Sequence, residues 1–211
     1  EKIVAASLQP SMVAVRGRDG EWFGRACSIN VDHEVSHARH DALLEQGQLV
    51  TVDMIAVSDG WWYVDLAETV VVGGGGHPLL DALGAVWNAA LATIDPGVAW
   101  AEVATSMAEA ASPHGARMVR GLAGHGIGMA PHELPVLPLT PSPSDPSIIL
   151  RPGMVFTLEP AITSGSGETV DSEDGWAILT ADGAPAVGRE AMIAIEPDGF
   201  RVLGGPLADD S

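Results

Sequence analysis

Hydrophobic and polar positions along this chain fall into two blocks of β-like patterning around one with helical spacing. In the first, the runs "LVTVDMIAV" and "WWYVDLAETVVVG" are rich in β-branched and aromatic residues, and Ser58-Asp59-Gly60 between them is a turn signature. They predict a β-hairpin over residues 48–73. "GGGGHP" at 73–78 breaks the pattern, and two helices are expected after it, "LLDALGAVWNAALATID" and "AWAEVATSMAEAA". Asp95-Pro96-Gly97 separates them, because proline and glycine enforce a stop. "ARMVRGL" is a short strand candidate that leads into "GHGIGMAPHELP". Beyond the loop "PLTPSPSDPS" the β pattern returns in "GMVFTLEPAIT", "GWAILT" and "EAMIAIEPDGFRVL", with Asp182-Gly183 and Asp198-Gly199 as turns. Two β-rich segments flanking a helical one predict an α+β fold.

Composition narrows the partners. At 211 residues and 46% hydrophobic content, the chain suits one compact domain or two small halves sharing a core. Ten Lys and Arg stand against 28 Asp and Glu, a formal charge of −18, and the cationic residues form no cluster. A phosphate backbone would be repelled, so nucleic acid is excluded as a partner. There is no apolar stretch of about 18 residues and no signal-peptide pattern, so no membrane association is expected, and the chain reads as a cytoplasmic monomer. The single cysteine, Cys27, rules out an intrachain disulfide framework and a multi-cysteine zinc site, and reads as a small buried hydrophobe in a reducing compartment.

Charges belong in water, so the informative carboxylates are those flanked by apolar strand residues. Asp53 in "VTVDMIAV" and Asp65 in "WWYVDLA" are two of them. If the hairpin turns about Asp59, the two face each other directly across the ladder, with Cβ atoms about 5 Å apart. Two anions so close on a half-buried sheet repel unless one is protonated or a cation lies between them, and a hard divalent cation fits best. Glu159, in "GMVFTLEPAI", and Glu190, which is expected to open the last strand in "VGREAMIAI", pose the same question. Four such carboxylates together with a histidine point to a metal site.

"GHGIGMAPHELP" holds that histidine. The stretch lacks the Lys and Ser/Thr of a P-loop and the Gly-x-Gly-x-x-Gly spacing of a dinucleotide loop. His125 and His132 are too far apart for a zinc pair on one helix, and Pro131 argues against a helix at all. The glycines instead permit close backbone approach, which would present the histidines at a site.

With the hairpin from Asp53 to Asp65, then "GHGIGMAPHELP", "LRPGMVFTLEP" and "DGWAILTADGAPAVGREAM" in that order, the chain resembles the methionine aminopeptidases over about residues 27 to 203. These belong to the pita-bread metallopeptidases, together with the proline-specific aminopeptidases, prolidase and creatinase. The resemblance implies a pita-bread fold of pseudo-two-fold halves, about 1–76 and 77–211, with a curved antiparallel sheet and outer helices. It implies five ligands, Asp53, Asp65, His125, Glu159 and Glu190, around two divalent ions (cobalt, manganese, iron or zinc), with Asp65 and Glu190 bridging. It implies Glu159 as proton shuttle, His132 on the peptide and on the tetrahedral intermediate, and His37 near the substrate amine, with His33 and His40 as competitors. Peptide or nascent-protein N-termini would be the substrates.

The sequence departs from that family at four places. Pro131 stands where an aromatic lines the methionine pocket, while the pocket aromatic Trp176 is retained. Gly188-Arg189-Glu190-Ala191-Met192 replaces Gln-Phe-Glu-His-Thr, and "SHARH" replaces a His-Gly pair. The helical stretch ahead of "SIN" is expected to be short. Two other readings stay open, an Xaa-Pro-type peptidase of the same superfamily and a non-catalytic pita-bread module that binds peptides or proteins.

Overall fold

The computed structural model describes residues 15–16, 22–23, 27–38, 43–58, 62–141, 148–173 and 175–204. The segment before Val15, His40 and the hairpin turn at Asp59-Gly60 lie outside the described residues. Among those described, the chain runs β1 (Val15–Arg16), β2 (Trp22–Phe23), β3 (Cys27–Val31), β4 (Glu34–Ser36), β5 (Leu49–Ser58) and β6 (Trp62–Val71), then helices α1 (Pro78–Thr93) and α2 (Trp100–Ala111). There follow β7 (Arg117–Met118), β8 (Ala123–Gly126), β9 (Glu133–Pro138), β10 (Val155–Leu158), β11 (Ala161–Thr163), β12 (Thr169–Asp171), β13 (Ile178–Thr180), β14 (Ala186–Glu196) and β15 (Gly199–Val202). Strands around two central helices match the α+β expectation.

The main sheet is antiparallel and runs β3-β5-β6-β14-β10-β8-β9, with β11 and β15 also on β14, and β7 on β11. A three-stranded sheet, β12-β13-β4, lies apart from it. Helix α1 starts where expected: Pro78 fills a first-turn position that needs no N–H, and the His77 ring accepts from the Leu79 N–H at 3.2 Å. It stops before Asp95-Pro96-Gly97, where Gly97 takes φ 93.

One side of the sheet packs against the helices. Phe156 and Leu158 of β10 join Ala191, Ile193 and Ile195 of β14 in a core with Leu83 and Val86 of α1 and Val103 and Met107 of α2. Trp100 stands edge-on to Phe156, ring centroids 5.6 Å apart, and its indole N–H donates to the Pro138 carbonyl. Side chains alternate along a strand, so Thr157 of β10 and Glu190 of β14 are turned to the face away from the helices. Cys27 is buried, as expected.

Two local expectations are corrected. Glu190 does not open its strand; it lies within β14, which begins at Ala186 because Ala186, Val187 and Gly188 already pair with β11. The hairpin register is shifted as well: Ser58 pairs with Trp62, so Asp53 faces Ala67, and Asp65 faces Ile55. The symmetry axis is at residue 60 instead of 59, and each partner moves by two positions. A two-residue shift preserves the face. Asp53 and Asp65 therefore still point the same way, as diagonal neighbours instead of a facing pair.

Candidate metal centre

Five antiparallel strands meet at one level of the sheet. Ser28 pairs with Asp53, Asp53 with Ala67, and Ala67 with Glu190. Leu158↔Ala191 and Ala161↔Gly188 belong to one continuous register, which places Glu159 opposite Glu190. The break between β10 and β11 at Glu159-Pro160 follows from the proline, which has no N–H for the ladder; its carbonyl still accepts from Arg189 N at 3.2 Å. A single rung thus carries Ser28, Asp53, Ala67, Glu190 and Glu159. Asp65 is two residues along β6 from Ala67 on the same face.

His125 enters from β8. Its N–H donates to the Thr157 hydroxyl at 3.0 Å, and that hydroxyl donates to Glu159 Oε1 at 2.7 Å. The flanking glycines explain themselves: a Cβ on Gly124 would lie 2.3 Å from the Thr157 carbonyl oxygen, and one on Gly126 would lie 2.3 Å from that of Leu134. Only residues without a side chain let β8 come this close to β10 and β9. His125 Nδ1 is 3.1 Å from the Gly126 carbonyl, which can only accept, so the ring carries its proton there and turns the Nε2 lone pair inward. Nε2 is 3.5 Å from Glu159 Oε1 and 4.0 Å from Asp65 Oδ2.

Such a cluster is electrostatically untenable as five naked bases. Burial pushes the Asp53 carboxyl up to about 6 against the help of the Ser28 hydroxyl, and pushes Glu159 up to about 8 against that of Thr157. Asp65 and Glu190 are raised well above the carboxylate range, first by burial and then by neighbouring carboxylates. Burial lowers His125 to about 4. Asp65 Oδ1 and Glu190 Oε1 are buried with no hydrogen-bond partner. Orphaned buried oxygens of this kind cost about 1–3 kcal/mol each, or more when charged.

Cations fit these residues. Donor atoms of Asp53, Asp65 and Glu190 lie within 4.8 Å of one another, as do those of His125, Glu159 and Glu190, and those of Asp65, His125 and His132. Oxygen donors with one or two imidazoles suit divalent first-row metals. Asp65, Glu190 and His125 each belong to two of these groups, so the donors divide into adjoining sites. The structure brings together all five residues named from the sequence.

His132 is exposed, with its ring edge-on to that of His125 at 4.3 Å, and Pro131 is half-buried beside it. His37 and Trp176 stand outside the donor groups. Ser36 pairs with Ile178, so His37 and Trp176 leave β4 and β13 at the same end of the small sheet. His37 is exposed and has φ 59, a left-handed conformation uncommon outside glycine. His33 is exposed in the turn between β3 and β4.

The sequence reading missed a polar relay behind Asp53. The Ala38 N–H donates to Asn30 Oδ1 at 2.9 Å, Asn30 Nδ2 to the Ser28 hydroxyl at 3.3 Å, and that hydroxyl to Asp53 Oδ2 at 3.3 Å. It ties the residue after His37 to a carboxylate of the cluster. Only the β3–β5 register reveals it, since Ser and Asn in a strand carry no signal of their own.

Residues 1–197 match metallopeptidase family M24. The chain belongs to that family. Among its relatives, it is 35% identical over 190 residues to the methionine aminopeptidase of Treponema pallidum (strain Nichols), covering 88% of this chain and 74% of that one. It is 31% identical over 184 residues to that of Aquifex aeolicus (strain VF5), covering 84% and 71%. The crystal structure of methionine aminopeptidase from Thermotoga maritima superposes with a TM-score of 0.83 at 28% identity, covering 97% of this chain and 82% of that one. Prolidase from Pyrococcus furiosus, 21% identical with a TM-score of 0.66 over 98% and 60% of the two chains, shares the fold. This M24 chain therefore has the pita-bread fold, and it is a metallopeptidase.

Proposed function

We propose that this M24 peptidase is an aminopeptidase that removes methionine from the N-termini of peptides and nascent proteins. Two divalent ions would be held by Asp53, Asp65, His125, Glu159 and Glu190. The observation that carries this reading is the carboxylate cluster, in which Asp65 Oδ1 and Glu190 Oε1 are buried without a hydrogen-bond partner and lie among donor groups able to hold cations. Likeness to methionine aminopeptidases over more than four-fifths of the chain supports the substrate.

Divalent ions in such a site supply Lewis acidity, which makes water nucleophilic near neutrality and polarises a peptide carbonyl. The chain supplies the rest. Glu159, steadied through Oε1 by the Thr157 hydroxyl, takes the proton released by the attacking water and returns it to the leaving amine. His132, exposed beside His125, contacts the scissile peptide and stabilises charge on its carbonyl oxygen. His37 and Trp176, which leave the small sheet together, line the side that receives the free amine and the methionine side chain, and Pro131 closes the pocket wall next to His132.

A substrate comparison tests this. Protein supplied with cobalt or manganese should release methionine from Met-Ala-Ser with a kcat/KM at least about 100-fold above that for Xaa-Pro dipeptides. The reverse order would overturn methionine specificity in favour of an Xaa-Pro peptidase. Metal binding without turnover of either substrate would favour a binding module.

A further inference from the structure

Strands β6 and β14 carry Asp65 and Glu190, the two carboxylates with orphaned oxygens, yet their register consists of two pairs, Arg189↔Glu68 and Glu190↔Ala67. So short a ladder is reinforced by side chains. Arg189 Nε donates to Glu68 Oε2 at 2.9 Å and Arg189 Nη2 to Glu68 Oε1 at 3.0 Å, a two-pronged contact between directly facing residues. The guanidinium carbon also lies 5.7 Å from the ring centroid of Trp87 in α1. Both partners are roughly seven-tenths buried, with 28% and 29% of their side-chain surface exposed. On the opposite face, one position further along, the Thr69 hydroxyl accepts from Gly188 N at 2.9 Å, while it is 2.7 Å from both the Gly188 carbonyl and the Thr51 hydroxyl.

We infer that Arg189, clamped to Glu68 and seated on Trp87, is a positioning residue that sets the spacing between Asp65 and Glu190 from behind the sheet. The inference rests on the metal-centre reading above. Arg189 and Glu190 are consecutive and point to opposite faces, so Arg189 touches neither metal nor substrate. It fixes the backbone from which Glu190 projects and the strand that carries Asp65. A fork-shaped guanidinium suits the task because it holds both carboxylate oxygens in one plane and lies within cation–π range of an indole at the same time. Helix α1, the strand pair and the ligand rung become one rigid unit, with Trp87 linking the helix to the clamp.

The test uses the full chain, stripped of metal and titrated with cobalt, read by its visible absorption spectrum and binding constant well below the unfolding temperature. Arg189→Met should weaken cobalt binding about 10-fold or more and alter the spectrum. Arg189→Lys, which keeps a cation on Trp87 but loses the second prong, should do so by less and covers the case in which Arg189→Met does not fold. The exchange R189E with E68R should recover affinity and spectrum relative to either single change. Wild-type affinity and spectrum in folded R189M or R189K would overturn the clamp. So would an exchange variant no better than R189E alone. Failure of the unaltered chain to bind cobalt would strike down the metal centre itself, and the clamp with it.

Discussion

Ala67 sits where Asp53 and Glu190 reach in from the strands on either side, with Asp65 two residues along its own strand on the same face. A methyl group there leaves room for cations between the carboxylates. Ala67→Leu would fill that room without removing a ligand, and should weaken cobalt binding about 10- to 100-fold while the variant still unfolds cooperatively in urea. Unchanged cobalt affinity would show that the rung does not enclose the metals. The same residues predict a pH dependence. Each of the four carboxyls has a folded-state pKa above its ordinary value, so its contribution to the metal-free fold is complete at low pH. For Asp53 and Glu159 that contribution is lost as pH rises from about 4 through about 6 and about 8 respectively. His125, lowered to about 4, works the other way and costs stability as pH falls below about 6.5. Metal must displace the retained protons. Calorimetry of zinc binding near pH 7, in buffers of different ionisation enthalpy, should show protons released with binding, and fewer near pH 9, above the value for Glu159. Release that does not vary with pH would contradict the shifts.

At the scale of elements, the residues that cluster were legible and their arrangement was not. An acid in an apolar strand stands out locally, which is how Asp53, Asp65, Glu159 and Glu190 were found. Registers between distant strands leave no local trace: Arg189 and Glu68 are 121 positions apart, and neither looks unusual in its own segment. The hairpin axis was misplaced by one residue for a related reason, since a turn signature marks that a chain reverses without counting the residues in the turn. It was the even period of the strand that kept both aspartates on the correct face. The glycines of "GHGIG" were read correctly as places of close approach, and their partners, Thr157 and Leu134, came only from the packing. Gly126→Ala should cost about 1–3 kcal/mol in urea unfolding, because its Cβ would press on a backbone carbonyl instead of a movable side chain. A cost near zero would mean that β8 and β9 can separate freely at His125.

Across the whole molecule, the β-α-β order of patterning was enough for the α+β class, and the ordered motifs were enough for the family that residues 1–197 match. The curled sheet puts helices on one face and the carboxylate rung on the other, so the apolar core stabilises the fold while the far face holds groups that destabilise it. That division makes the metal content decisive. Elemental analysis of the chain, stripped of metal, reloaded with cobalt and washed, should find two cobalt ions per molecule, and none in Asp65→Asn/Glu190→Gln protein that remains folded. Methionine release from Met-Ala-Ser should follow the same loading. Two ions bound equally well without Asp65 and Glu190, or full activity in a chain free of metal, would contradict the account.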